Sequence, residues 1–286
     1  KRCYAGYFSG SQREESIDVD YWTNWVGRRM DHILDILQYV SYFIAPSRYL
    51  YNRYIDEFGL PADKLIYLDY GFNLKRLHER KRITNESFTF GYIGTHIPAK
   101  GIQHLITAFG LLKGNCILRI WGRPNSQNTN ALRSIANSLP QEIVQRIQWL
   151  SEYRNEHIVN DVFNKIDCIV VPSIWVENSP LVIHEALQLR IPVIAANIGG
   201  MAEYIHHEIN GLLFAHRNVY SLATQMQRLV DNPLFAQQLG RRGYLQSTDG
   251  NIPDIDSHIA ALEDVYSRAI AIKNKQSLKL MEKIWE

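Results

Sequence analysis

Two glutamates, Glu177 and Glu185, stand eight positions apart on either side of Ser179-Pro180-Leu181-Val182. Serine just before a helix and proline at its first position are favoured, so this stretch reads as a helix start with Ser179 as N-cap. The amides of Leu181 and Val182 then lead the helix, where an anion is stabilised. Glu177 precedes the helix and Glu185 lies in its second turn, so the two carboxylates can meet one elongated ligand at two heights. The plainer reading makes Glu177 a dipole-stabilising acid. It makes Glu185 a solvated helix residue. A ligand-binding Glu185 is expected to leave the fold intact when truncated to Ala, at under about 0.5 kcal/mol, whereas unfolding would mark it as structural. A second cluster is Gly94-Thr95-His96-Ile97-Pro98-Ala99-Lys100-Gly101. Gly94 admits close backbone approach, Gly101 opens another helix, and Lys100 brings a mobile positive charge to its entrance. Together they suit a phosphate or diphosphate, although neither GxxxxGK[ST] nor GxGxxG is present; the plainer reading is a structural glycine turn with an exposed lysine. Paired carboxylates also cleave glycosides, but that chemistry has no need of a lysine and two helix N-termini aimed at one cleft.

The elements that must hold these residues follow a regular rhythm. Apolar strands are expected at 88–93, 117–121, 147–150, 168–171 and 193–196, alternating with helices at 102–112, 129–139, 156–164 and 181–189. Short apolar strands alternating with helices imply a parallel sheet covered on both faces, joined by right-handed crossovers. The expected fold class is therefore α/β, with a doubly wound domain over residues 87–250. Ligands of such sheets bind beyond the carboxyl ends of the strands. The loops there are 94–101, 122–125 with Arg123, 151–153 with Ser151 and Tyr153, 172–180, and 197–200. Asn210-Gly211 signals a turn. Helices at 219–230 and 234–245 follow, and a last one at 254–272.

Ahead of this domain the pattern is helix 21–40, strand 42–45, helix 48–58 and strand 65–68, too few strands for a sheet of normal size. Residues 75–87 carry Lys75, Arg76, Arg80, Lys81 and Arg82. They read as a solvated linker, with a basic binding patch as the alternative.

At about 150 residues per domain, a chain of 286 residues holds roughly two. Hydrophobic residues are 46% and charged residues 21%, which excludes a disordered tail or a membrane bundle. A formal charge of +2 gives no electrostatic case for nucleic acid. Cys3, Cys116 and Cys168 form neither a disulfide framework nor a CxxC pair, so a reducing cytoplasm is expected. No charged-then-apolar leader follows Lys1, and a piece upstream of it is left open.

Taken in order, several motifs resemble the donor domain of the retaining glycosyltransferases of family 4, with the GT-B fold. They are Gly91-Tyr92-Ile93-Gly94 with Lys100-Gly101, Val171-Pro172-Ser173 before Glu177, and Glu185-Ala186-Leu187. Ile191-Pro192-Val193-Ile194-Ala195 with Gly199-Gly200 and Glu203, then Asn210-Gly211-Leu212-Leu213-Phe214, complete the resemblance, which runs from Phe90 to about Leu245. Upstream, Ala45-Pro46-Ser47 and Tyr70-Gly71-Phe72-Asn73 resemble the end of the acceptor-side domain and the interdomain crossover. The implied division is a partial acceptor-side α/β domain and linker at 1–86, a nucleotide-sugar domain at 87–250, and a C-terminal helical segment at 251–286 packing back on the N-terminal part.

The resemblance also implies roles. The chain would be a retaining, metal-independent hexosyltransferase of polysaccharide biosynthesis, with a UDP- or GDP-sugar as donor and no further cofactor. The acceptor would be a glycan, a lipid-linked sugar or a small molecule. Glu177 and Lys100 would be catalytic, Glu177 on the donor hexose and Lys100 on the departing diphosphate. Glu185 would hold the ribose, the backbone of Ser179, Pro180, Leu181 and Val182 the sugar and diphosphate, and Gly94 and Thr95 the phosphate loop. Ser151 to Tyr153 would lie near the base. Thr95 stands where the family has an arginine, so Arg123 is the candidate second cation and His96 a further one. The family's acceptor-side histidine lies upstream of the matched part, and His32 reads as structural. Residues 22–29 read as core plus solvated face, with peripheral contact at the inner membrane face as the other reading. A donor-binding module inactive alone and a GT-B glycosyl phosphorylase are the alternative functions.

Overall fold

The computed structural model describes residues 15–83 and 86–285, with the side chains of residues 20–83 and 86–275. Cys3 lies outside the described residues. Two compact units result, Ile44–Asp264 and, separately, the described residues before 44 with those after 264. Among the described residues the first elements are helix α1 (Glu15–Leu37), strand β1 (Phe43–Ala45), helix α2 (Arg48–Asp56) and strand β2 (Leu65–Tyr67), which pairs with β1. On α1 the spacing expected of a core face is present, yet Trp25, Val26, Ile33 and Leu34 are exposed, and so is His32.

The main unit is built on six parallel strands: β3 (Phe88–Ile93), β4 (Cys116–Trp121), β5 (Ile147–Trp149), β6 (Cys168–Val171), β7 (Val193–Ala196) and β8 (Gly211–Phe214). Their order is β5-β4-β3-β6-β7-β8. Every residue of β6 and β7 is buried, as expected of strands covered on both faces. Helices α3 (Ile102–Phe109), α4 (Ser126–Asn137), α5 (Gln141–Val144), α6 (Ile158–Asp161), α7 (Leu181–Gln188), α8 (Gly199–Tyr204), α9 (Val219–Asp231), α10 (Pro233–Arg241) and α11 (Ile255–Trp285) follow in chain order. Helix α3 buries Ile102, Leu105, Ile106 and Phe109, one stripe at helical spacing, and packs against α4 and α9. Helix α7 packs on β6 and β7. The strand order reverses between β3 and β6, which makes the loops after these two strands the topological switch point of the sheet.

Two expectations change, and a third is refined. Residues 211–214 form a sixth strand, with Val193 opposite Gly211 and Ala196 opposite Phe214; a side chain at Gly211 would meet the Val193 carbonyl at 2.5 Å. The single helix expected at 156–164 is broken. Val162 leaves helical geometry (φ −124°, ψ −67°), which lets the adjacent Val162 and Phe163 both be fully buried. The segment at 75–83 is solvated at Lys75, His78, Glu79, Lys81 and Arg82, as expected, but it is also tied down. Arg80 donates to the carbonyls of Phe163 and Ile166, Arg82 pairs with Asp167 at 2.6 Å, and the Ile83 amide bonds Asn164 O at 2.8 Å.

A buried carboxylate fastens the segment after β2 to the sheet. Asp69 accepts from Tyr244 Oη (2.7 Å), His184 Nε2 (3.1 Å), Tyr204 Oη (3.2 Å) and its neighbour amide Tyr70 (2.8 Å). Burial pushes this carboxyl up, but the donors of His184 and Tyr244 and the Tyr70 amide outweigh it and hold it below its ordinary range. Nearby, Glu203 on α8 accepts the amides of Arg48 and Tyr49, both at 2.9 Å, and so stabilises the start of α2. Phe72 bonds Pro253 O and the Ile255 amide around the start of α11.

Two measurements test this account. A carboxyl depressed in the folded state adds stability above its unfolded value, about pH 4, and loses it as pH falls further. Asp69→Asn therefore lowers neutral-pH stability by about 2 kcal/mol or more, and the gap to wild type narrows in acid, as read from denaturant melts across pH. Gly101 has φ 72°, and a side chain there would lie 1.9 Å from the Pro172 carbonyl. Gly101→Ala should cost about 1–3 kcal/mol in the same melts.

Candidate functional site

The candidate site forms where the loop after β3 meets the loop after β6. The turn at Pro98–Lys100 ends on Gly101, which also opens α3. The Ala99 carbonyl accepts the amides of Ile174 and Trp175, both at 3.0 Å, so the two loops are stitched backbone to backbone. A third loop supports them: the Gly200 amide donates to the Glu177 carbonyl at 2.8 Å, and a side chain at Gly200 would lie 1.5 Å from Asn178 O. The close approach expected of Gly199-Gly200 is thus made to the Glu177 loop itself.

This packing sets Lys100 Nζ 2.6 Å from Glu177 Oε1, with Ser173 Oγ 2.9 Å from the same oxygen. Lys100 stays 37% exposed and Glu177 17%, so the pair faces solvent beyond the strand ends. Tyr92, buried at the end of β3, has its phenol pushed well up by burial and by the Glu177 carboxylate.

Helix α7 starts at Leu181, as expected from 181–189, but its N-cap is one residue later than Ser179. Pro180 is its N-cap and Leu181 its first residue, with no side-chain cap. Ser179 does not cap because its hydroxyl is drawn into the buried cluster, 3.0 Å from Tyr204 Oη. The amides of Leu181 and Val182 still lead the helix. Four residues on, Glu185 is only 6% exposed, so it is no solvated helix residue, and its truncation would strand a buried partner. Its Oε1 lies 2.5 Å from Arg76 Nη2, while Arg76 Nη1 holds Asn155 Oδ1. Burial raises the Glu185 carboxyl, and Arg76 opposes the rise. Tyr153 stands close by, its phenol pushed up to about 12 by burial and by Glu185. A 400 Å³ cleft opens beside it, lined by Arg119, Trp121, Gln148, Tyr153 and Lys165.

The remaining expected residues are placed less uniformly. Gly94 bonds Trp121 O at 3.2 Å and lies against Gly122, where a side chain would meet the Gly94 carbonyl at 1.8 Å. Thr95 is exposed. Arg123 is 80% exposed, its nearest acid Glu152 at 3.8 Å, so the structure joins it to neither glutamate cluster. His96 is buried at 3% exposure against Thr129 Oγ1 (3.1 Å) and Trp149, and burial lowers its pKa, so it does not supply the missing cation. Sequence reasoning missed Arg76, Asn155 and Asp69, and it gave Ser173 no role beyond its place in a motif. Arg76 was hidden in a run of charges, and nothing local marks Asn155 or Asp69.

Taken together, one carboxylate sits with a cation at the switch point, a second is buried on a helix that points its amides into the same loops, and a cleft lies beyond the second. That arrangement can hold an elongated ligand with an anionic middle. Residues 75–246 match the family model described as glycosyl transferases group 1. The chain is 24% identical to an uncharacterized glycosyltransferase of Methanocaldococcus jannaschii, over 66% of this chain and 50% of that protein. It is 26% identical to the GDP-mannose-dependent alpha-(1-6)-phosphatidylinositol monomannoside mannosyltransferase of Mycobacterium tuberculosis, over 76% of this chain and 58% of that one. The crystal structure of Anabaena HepE in complex with UDP and glucose superposes with a TM-score of 0.68 at 18% identity, over 79% of this chain and 63% of that one. This chain thus spans about half to under two thirds of the length of each. Among the described residues no helix is long and apolar enough to cross a membrane.

Because Lys100 is over a third exposed, its pair with Glu177 contributes little to folding. Lys100→Met should change unfolding free energy by under about 1 kcal/mol, so any loss of ligand binding in that variant reads chemistry and not folding.

Proposed function

The chain belongs to the group 1 glycosyl transferases, and from that premise we propose that it transfers a hexose, with retention, from a UDP- or GDP-sugar to a glycan, lipid-linked or small-molecule acceptor. The observation that supports this best is the Lys100–Glu177 pair at the switch point between β3 and β6. The donor's diphosphate lies against the leading amides of α7 and the loop ending in Gly101. As the bond from sugar C1 to the phosphate oxygen breaks, the sugar becomes oxocarbenium-like and negative charge grows on the β-phosphate. Lys100 exchanges Glu177 for that oxygen, and the charge is met by the ammonium group and the amides rather than by a metal ion. Glu177, released from Lys100, accepts from hydroxyls of the hexose. The acceptor hydroxyl attacks C1 from the face the diphosphate leaves, and its proton passes to the departing phosphate oxygen.

At the other end, Glu185 accepts the ribose hydroxyls, and the base lies beside Tyr153 in the 400 Å³ cleft. Both donor nucleotides named here accord with what the relatives carry in their descriptions, GDP-mannose for the mycobacterial enzyme and UDP for HepE.

Incubating the chain with labelled UDP- and GDP-hexoses tests the reading. Binding with slow donor hydrolysis is expected, and transfer once a suitable acceptor is added. Lys100→Ala and Glu177→Gln should each lower kcat/KM about 100-fold or more, about 2.7 kcal/mol of transition-state stabilisation. Binding of both donors without turnover under any acceptor identifies a donor-binding module instead, and unchanged kinetics in Lys100→Ala overturns the assignment of the pair.

A further inference from the structure

Glu185 holds a charge its surroundings resist. Its side chain is 7% exposed, and burial raises its carboxyl. Three ionisable groups face it: Arg76 from the segment leading into β3, His184 on its own helix, and Tyr153 from the loop after β5. Tyr153 is pushed up to about 12 and stays neutral at ordinary pH. Arg76 alone makes the direct ion pair, and it is largely buried itself. It sits at the end of the turn Leu74–Arg76, whose start is capped by Asn73. Its planar fork reaches Glu185 Oε1 with one nitrogen and Asn155 Oδ1 with the other, both at 2.5 Å, a geometry that a lysine cannot reproduce. Glu185 Oε2 accepts from no described residue.

We propose that Arg76 is a positioning residue of the donor site: it turns Glu185 so that Oε2 is presented to the ribose diol and keeps that carboxylate charged. The proposal rests on the reading that Glu185 takes the ribose. A vicinal diol offers two O–H donors, and a carboxylate accepts them more strongly than a protonated carboxyl, which commits one oxygen to its own proton. Without Arg76, a carboxylate this deeply buried takes up a proton far more readily. Arg76 belongs to the segment that Asp69 anchors at one end and Arg80 and Arg82 at the other, so the same residue makes the fit of the nucleotide depend on the docking of that segment.

Calorimetric titration of the full chain with UDP and with GDP, from about pH 5.5 to about 9, tests this. Wild type should bind through the neutral range. Arg76→Ala should bind about tenfold or more weakly at neutral pH and recover at alkaline pH, its titration midpoint moved up by at least about one unit. Arg76→Lys should lie between the two, and Glu185→Gln should bind weakly with little dependence on pH. If Arg76→Ala is unfolded by circular dichroism, Arg76→Gln carries the same expected shift. Unchanged or tighter binding in Arg76→Ala overturns the proposal and makes the arginine a latch lying over the ribose site. Uniform weakening with no shift in midpoint overturns it as well, in favour of a purely structural contact. If wild type binds neither nucleotide, the donor-site reading itself falls and the proposal with it. If wild type binds and Glu185→Gln binds equally well, the ribose role of Glu185 is what fails.

Discussion

A carboxylate taken out of water must be met by donors, since leaving it bare costs several kcal/mol. That constraint organises this molecule. Asp69 gathers a tyrosine after α10, a tyrosine on α8 and a histidine on α7. Asp167, just before β6, takes Arg82 and the Thr89 amide. Glu185 takes Arg76, and Glu203 takes two amides at the head of α2. In each case the partner lies far away in sequence, so satisfying the charge draws a distant segment onto the sheet. The segment from Asp69 to Ile83 is held this way along its length, and it is also the segment that reaches the candidate site.

Stability and chemistry are divided between backbone and side chains at the switch point. The loops after β3, β6 and β7 are joined by amide–carbonyl bonds, and Gly101 and Gly200 allow contacts that no side chain would tolerate. The Lys100–Glu177 pair adds little to this framework. It is therefore free to change partners when a charged ligand arrives, while the loops that aim it stay in place.

The central alternation of strands and helices was legible because each strand is a compact apolar run and each helix carries its own stripe. That Lys100 and Glu177 lie in neighbouring loops was legible because both follow strands of one parallel sheet, beyond whose carboxyl ends such loops gather. Strand β8 was missed because Asn210-Gly211 signals a turn and only three residues follow before Ala215. The anchoring of the 75–83 segment was not foreseen because the acids and carbonyls that bind its arginines lie about 80 to 110 residues further on, and a local reading sees only unpaired charge. The Asp69 cluster was invisible for the same reason: its partners are 115, 135 and 175 positions away. Glu185 was recognised as a candidate, but its burial follows from the packing of α7 and not from any pattern around it.

The two outer strands of the sheet have a consequence for how the molecule behaves in a crowd. β5 has three residues and β8 four, while β3 and β4 inside them have six. An outer strand that short offers too few free amides and carbonyls to seed pairing with another copy. The apolar inner strands, which alone would be aggregation-prone, thus lie behind short margins, a feature that works against pairing of this sheet with another copy.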